Sequence, residues 1–433
     1  DLLKKPEVSR MVSNPMIDSR LSSVVVGCYE CHGLNKQSHK DNFEHNGFKI
    51  NIVVSPKDCA TCHIDEANQY SNSKKAHAVK NLTQNPIYNQ LMTTTLSMKT
   101  WDKGQIRSSE PSYSTKKETC LGCHGTTVRV SGLKERETPL GVMKFPILSG
   151  WPNVAVGREN PDGSLGACTS CHPRHSFSIE IARKPYTCAQ CHLDPDVPAW
   201  NVYKESKHGN IYFSKWYEWD LKTPTWTLGK DFKAPTCATC HSSQVLSPDG
   251  SVIIKRTHDF GSRLWVRLFG LIYSHPQTIH GDTTKIRNKE GLPLPTSLTG
   301  EISSEGLITK EEQKKRQDAM KNLCNNCHSV NWVNGHFDKL NKTIAETDKM
   351  IHTTTMLMLD VWKSRVENQK NLFDETIEKM WVRQWLFYAN SIRYASAMTG
   401  APDYSTFKNG WWSMNENLQQ MIDWYKLKRT NKR

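Results

Sequence analysis

Residues 168–192 read CTSCHPRHSFSIEIARKPYTCAQCH: two copies of Cys-x-x-Cys-His, with a further histidine, His175, three residues beyond the first. The pattern occurs seven times in all. CYECH starts at Cys28, CATCH at Cys59, CLGCH at Cys120, CTSCH at Cys168, CAQCH at Cys188, CATCH at Cys237 and CNNCH at Cys324, and together they use all 14 cysteines. Zinc ribbons need CxxC units in pairs, and seven is odd; neither zinc nor a redox dithiol explains a histidine after every second cysteine. CxxCH is the attachment site of c-type haem, in which two thioethers hold the porphyrin and the histidine ligates iron.

The sequence therefore predicts seven covalent haems c. They attach through Cys28 and Cys31, Cys59 and Cys62, Cys120 and Cys123, Cys168 and Cys171, Cys188 and Cys191, Cys237 and Cys240, and Cys324 and Cys327. The proximal iron ligands are His32, His63, His124, His172, His192, His241 and His328. Haem c is attached outside an energised membrane, so a periplasmic or equivalent extracytoplasmic location is expected. The chain opens at Asp1 without a charged and then apolar leader, as if a signal peptide were already removed. No apolar run nears the roughly 18 residues of a membrane span. The longest candidate, LWVRLFGLIY at 264–273, carries an arginine.

The formal charge of +14 would by itself suggest an acidic partner. Seven haems bring fourteen propionates, which leaves the reduced holoprotein about neutral and the oxidised one about +7. Many lysines and arginines are then propionate partners, and nucleic-acid binding is excluded. Only 37% of the 433 residues are apolar, which fits a body whose buried apolar surface comes in part from porphyrin.

Two regions differ in character. Residues 1–305 are broken repeatedly by Gly, Pro and Asn, as in SGWPNVAVGRENPDGSLG at 149–166, and hold six of the motifs. Residues 306–433 carry the seventh and read as long helices. Thr309 and Glu312 form a capping-box pattern, and helices are expected from about 336 to 368, 374 to 398 and 412 to 427. The stripe Ile377, Met380, Trp381, Trp385 and Tyr388 has helical spacing and suits either an internal core or a subunit contact. The fold expected is mainly α: a multihaem cytochrome c with a haem-packed N-terminal body and long C-terminal helices.

Ten histidines lie outside the motifs: His39, His45, His77, His175, His208, His258, His275, His280, His336 and His352. Six would suffice as second axial ligands if one haem stays open. Here the order of motifs becomes specific. The quoted run, followed by YKESKHGNIY at 203–212, APTCATCH at 234–241 and THDFGSRLW at 257–265, resembles the hydroxylamine oxidoreductase family of octahaem cytochromes, as does VGCYECH followed by FEHNGFKINIVVSPKDCATCH. The resemblance runs from about residue 26 to the C-terminal helices. It implies His175, His208 and His258 as distal iron ligands, with His45, His77 and His280 after them, and His175 capping a haem other than the one beside it. It also implies close-packed haem pairs, a trimer or a hetero-oligomer with a related subunit, and a redox partner such as another cytochrome.

Three departures qualify the resemblance. The family has eight haems, and residues 1–27 contain no cysteine for the first: either that haem was lost or the chain begins downstream of it. The family's catalytic haem falls on Cys120, Cys123 and His124, making His124 the ligand of the reactive iron; in ammonia oxidisers it is cross-linked to a tyrosine before a Gly-Trp pair. Aligned on Gly410–Trp411, that tyrosine's place is taken by Phe407, with Tyr404 nearby. Third, the family's catalytic Asp-His pair after the fifth motif is here Asp196 followed by Val197. Asp196 is thus the candidate catalytic acid/base, or equally a turn aspartate between prolines. Two functions follow: reduction of a small inorganic nitrogen compound at an open iron, or a non-catalytic electron conduit. Denaturing mass spectrometry should find seven covalent haems and no titratable thiol; fewer haems or free thiols would refute the count.

Overall fold

The computed structural model describes residues 26–364 and 370–430, together with residues 13, 15–17 and 19. It is 46% helical and 14% strand, so the expected mainly α fold holds. In the N-terminal body the helices are short and begin where the sequence supplies a cap. Ser55 accepts from the Lys57 amide while Asp58 accepts from the Ser55 amide at 2.8 Å, with Pro56 in the first turn, and this starts Pro56–Ala60. Three motifs form five-residue helices of their own, Cys28–His32, Cys120–His124 and Cys237–His241. One turn fixes more backbone than its hydrogen bonds repay, so such helices depend on what is attached to them.

Three antiparallel hairpins, at 42–51, 98–109 and 129–149, project between the helices. The first two reverse through Asn46–Gly47 and Lys103–Gly104, whose φ angles are 50° and 81°, and 46° and 81°. This left-handed pair matches the twist of the strands, and glycine at the second position adopts it without a Cβ clash.

Past residue 305 the long helices are Lys310–Asn325, Val330–Lys363, the run from Thr376 to Ala397 and Trp411–Thr430. The second starts at 330 rather than 336 because the Ser329 hydroxyl caps it, accepting from the Trp332 amide. Its expected continuation over 365–368 lies outside the described residues. At Lys310–Asn325 only half of the capping box forms: Thr309 accepts from the Glu312 amide, while the Glu312 carboxylate turns to Arg316 at 2.7 Å.

The aromatic stripe is internal. Ile377, Met380, Trp381 and Trp385 are buried in the largest core cluster, which also takes Leu271, Ile272, Tyr273 and Leu294 from the region before residue 305. Arg393, fully buried, bonds Thr347 and the Leu268 carbonyl and pairs with Asp348, joining two helices to the 268 loop. Among the described residues no helix is long and apolar enough to cross a membrane.

His39 is structural. Its Nδ1 faces Asp41 at 3.2 Å and its Nε2 faces Asp58 at 3.0 Å, all three side chains being buried. Burial opposes the charge, but the two carboxylates overcome it and raise the imidazole to about 9. A raised folded value means that the stabilisation is complete below the unfolded value of 6.5 and is lost as pH rises through about 9. His39→Ala should destabilise the holoprotein by about 3 kcal/mol at neutral pH. Thermal melts should show the deficit shrinking above pH 9; a constant deficit would refute the ion triad.

Candidate functional site

The residues present fit haem c. Folding brings cysteines of different motifs beside one another: Cys59 with Cys168, Cys123 with Cys191, and Cys188 with Cys237. Cys31 lies within electrostatic reach of Cys62, Cys171 of Cys188, and Cys240 of Cys324. The motifs thus run side by side in the order 28, 59, 168, 188, 237, 324, with the 120 motif branching from the 188 motif. Among the described residues no group of three or more His, Cys, Asp or Glu side chains has the placement of a metal cluster. Adjacent attachment points in this order are what a haem ladder needs, and Lys75 stands near the 168, 188 and 237 motifs.

The proximal histidines are oriented by the backbone. His32 Nδ1 lies 2.7 Å from the Asn51 carbonyl and His124 Nδ1 3.3 Å from that of Ala78. Donating from Nδ1 leaves Nε2 to face a metal. Two imidazoles bound to one iron at about 2 Å each would have ring centres about 6 Å apart. His208 and His328 stand at 6.0 Å, with the Ser206 cap positioning the helix that carries His208. His258 lies in reach of His172 and then His63, and its Nδ1 is buried without a partner. His77 donates to the Ser71 carbonyl through Nε2 at 2.9 Å and keeps Nδ1 buried and unbonded.

Three other expected ligands are exposed. His175 is exposed on a turn with φ 69°, His280 is exposed beside Gly281, and His45 is exposed at the rim of an apolar groove of about 450 Å³ between the 42–51 and 129–149 hairpins. His336 bonds the Thr399 hydroxyl at 2.8 Å and stacks on Trp332.

The charged group within electrostatic reach of His124 is the Arg267 guanidinium, which with burial lowers the imidazole. Arg267 also reaches Tyr88, Tyr394, His275 and Lys74. It pairs across two short strands, Val266–Arg267 and His275–Pro276, with His275 as its direct partner. Burial and then Arg267 push the His275 imidazole down to about 3, and likewise the Lys74 amine down to about 7.

Asp196 lies in reach of Cys120, Cys123 and the Tyr394 phenol, its carbonyl held by Asn390 at 2.9 Å. Burial on its inner side raises the Asp196 carboxyl, opposed by hydrogen bonds from the backbone amides of Asp196 and Val197. Burial raises Tyr394 to about 12. The sequence brought His124 and Asp196 forward, counted His275 only among the spare histidines, and missed Arg267, Lys74 and Tyr394. One signal was present: Arg267 is the charge inside the LWVRLFGLIY run. Tyr404 is buried against Val202, Ala395 and Ala401, whereas Phe407 is 63% exposed beside Trp412.

Comparison with known proteins gives a consistent picture. The family described as "Seven times multi-haem cytochrome CxxCH" matches residues 152–250, and "Cytochrome c554 and c-prime" matches residues 58–143. A probable nitrite reductase-hydroxylamine oxidoreductase fusion protein of Kuenenia stuttgartiensis is 26% identical over 225 residues, 46% of this chain and 23% of that protein. The chain thus spans under a quarter of the length of that curated relative. A solved structure described as a hypothetical multiheme protein is 45% identical, covers 99% of this chain and 89% of its own, and superposes with a TM-score of 0.91. A chain of the Kuenenia stuttgartiensis reducing HAO-like protein complex shares the fold, with 16% identity, 98% and 81% coverage and a TM-score of 0.64.

His208→Ala should convert one low-spin haem to high spin in the paramagnetic resonance spectrum, whereas His336→Ala should leave the spectrum unchanged. An unaltered spectrum in the His208 variant would remove that residue as a ligand.

Proposed function

The chain belongs to the multihaem c-type cytochromes, which carry covalently bound haem c and transfer electrons, and we propose that it is a hydroxylamine oxidoreductase-like member that reduces small nitrogen compounds at the haem held by Cys120, Cys123 and His124. The supporting observation is a contrast: His328 has the imidazole of His208 at 6.0 Å, whereas the charged group within electrostatic reach of His124 is Arg267. An arginine has no lone pair to give to iron, so a haem held by His124 and faced by Arg267 would keep a coordination position for a substrate. Bound there, haem supplies an iron that takes a nitrogen ligand and passes it electrons. The remaining six motifs hold the relay from a partner cytochrome or other carrier.

Reduction couples protons to electrons; hydroxylamine takes two of each to give ammonia and water. Asp196 and Tyr394 are the proton-bearing groups of this chain at that site. Asp196, exposed, exchanges protons with solvent, and the buried phenol of Tyr394 hands them inward. Phe407 in place of a cross-linking tyrosine leaves the porphyrin unmodified, which favours the reductive direction. Location is periplasmic or equivalent. Exposed Phe407 and Trp412, which with Trp411 line a groove of about 370 Å³, form the subunit contact of a trimer or a hetero-oligomer.

Val197 favours a second reading, the electron conduit, because valine transfers no proton. Spin state separates the two: one high-spin haem is expected for the enzyme, and seven low-spin haems would leave the conduit. Val197→His should raise hydroxylamine or nitrite turnover with an artificial donor by about 10²–10⁴-fold. No gain, in a parent whose haems are all low-spin, would refute the enzyme.

A further inference from the structure

The backbone behind the His124 imidazole is a crossing of three segments with no side chain between them. They are the start of the Ala78–Thr83 helix, residues 124–128 and residues 157–159. A Cβ on Gly157 would overlap the His124 carbonyl oxygen, and would stand 2.7 Å from the Val79 nitrogen and 2.9 Å from the Ala78 Cβ. A Cβ on Gly125, whose φ is 107°, would overlap the Gly157 carbonyl carbon and stand 2.5 Å from the Arg158 nitrogen. Such distances are closer than a Cβ can come to backbone, so only glycine permits the crossing.

Both outer segments are anchored. The Glu159 amide donates to the Thr126 carbonyl at 3.0 Å, and the Glu159 carbonyl accepts from the Val128 amide at 2.9 Å. Buried Arg158 donates to Asn160 Oδ1 at 2.7 Å, to the Asn153 carbonyl at 2.9 Å and to the Val54 carbonyl at 2.7 Å. On the far side Lys80 pairs with Asp282 at 2.6 Å. Asn81 donates to the Gly281 carbonyl at 2.8 Å and accepts from the Thr283 amide at 3.0 Å. A side chain added at the crossing must therefore displace His124 or Ala78, because the segments are tied on both sides.

We infer that Gly157 is a positioning residue for the His124 ligand: its bare backbone lets the 157–159 segment hold His124 Nδ1 against the Ala78 carbonyl. That distance is 3.3 Å. N–H···O bonds weaken past about 3.2 Å, so a further separation of a few tenths of an ångström loses this one. The bond selects the tautomer that points Nε2 at iron, fixes the ring and raises its basicity as a ligand. The consequence for turnover rests on the reading of the His124 haem as reactive; the consequence for the ligand does not.

The test compares haem-loaded Gly157→Ala with the parent. Asn81→Ala is the second variant: it frees the Ala78–Thr83 helix from its anchor and adds no atom at the crossing. Gly335→Ala is the control, since a Cβ there meets nothing within 4 Å. None of the three changes the charge, and covalent haem count by mass confirms loading. In Gly157→Ala the midpoint potential of one haem should rise, because an imidazole without its acceptor gives less to ferric iron. The expected shift is about tenfold in the ferric–ferrous equilibrium, roughly 59 mV for one electron. The iron–imidazole stretching band of the reduced five-coordinate haem should move to lower frequency. Asn81→Ala should move both readouts the same way by less, and Gly335→Ala neither. Hydroxylamine turnover with an artificial donor should fall in kcat rather than KM; a shifted potential with unchanged turnover would keep the positioning role and refute the reactive haem. A lower melting temperature with every potential and the band unchanged would overturn the inference and leave Gly157 a packing residue. Where Gly157→Ala fails to load, unchanged potentials in loaded Asn81→Ala would overturn it equally.

Discussion

The body of this protein depends on the attachment of chain to porphyrin at CxxCH. Helices of five residues, such as Cys120–His124, do not persist alone in water, and loops as broken as 149–166 offer little that would hold them. Two thioethers and an iron–imidazole bond at each motif replace the missing secondary structure with covalent and coordinate links. The same links explain why the thiols of Cys59 and Cys168, or Cys188 and Cys237, lie against each other. The chain is folded so that attachment points of different motifs stand side by side, which would bring the porphyrins they hold close enough for electron transfer.

The C-terminal helices supply stiffness of a different origin. Their core is aromatic and conventional, with Trp381 donating to Thr355 and Trp362 to Glu378, both at 3.0 Å. That core does not stop at residue 305: Leu271, Ile272 and Tyr273 enter it, and Arg393 reaches back to the Leu268 carbonyl. The strand that carries Arg267 is thereby tied to the C-terminal core. A reactive site needs its charged groups held within fractions of an ångström, and this connection provides it.

Around His124 the protein has exchanged one proton-handling set for another. Val197 removes an imidazole; Tyr394, from a helix almost two hundred residues away, brings a phenol near Asp196, and Arg267 adds a fixed positive charge. A fixed charge partly withdrawn from water stabilises negative charge better than the same group in solvent. Such a pocket suits anions that must gain electrons and protons together, the chemical class proposed for the substrate.

Much of this was legible in the residues. Cysteine count and spacing determine the cofactor type, since thioether chemistry needs two cysteines and a histidine within one turn. Period and caps gave the long helices to within a few residues, and the stripe at Ile377 to Trp385 was recognised, though only packing decided that it is core rather than interface. His208 stands 6.0 Å from His328, and His258 lies within electrostatic reach of His172. The tertiary structure alone decided that His39 is an ion-pair centre, that Phe407 is exposed while Tyr404 is buried, and that Arg267 lies within electrostatic reach of His124 and Tyr394. The reason is one of range. A haem motif is complete within five residues and can be read locally, whereas residues 124, 267 and 394 are brought into one neighbourhood from distant segments, which no local pattern encodes.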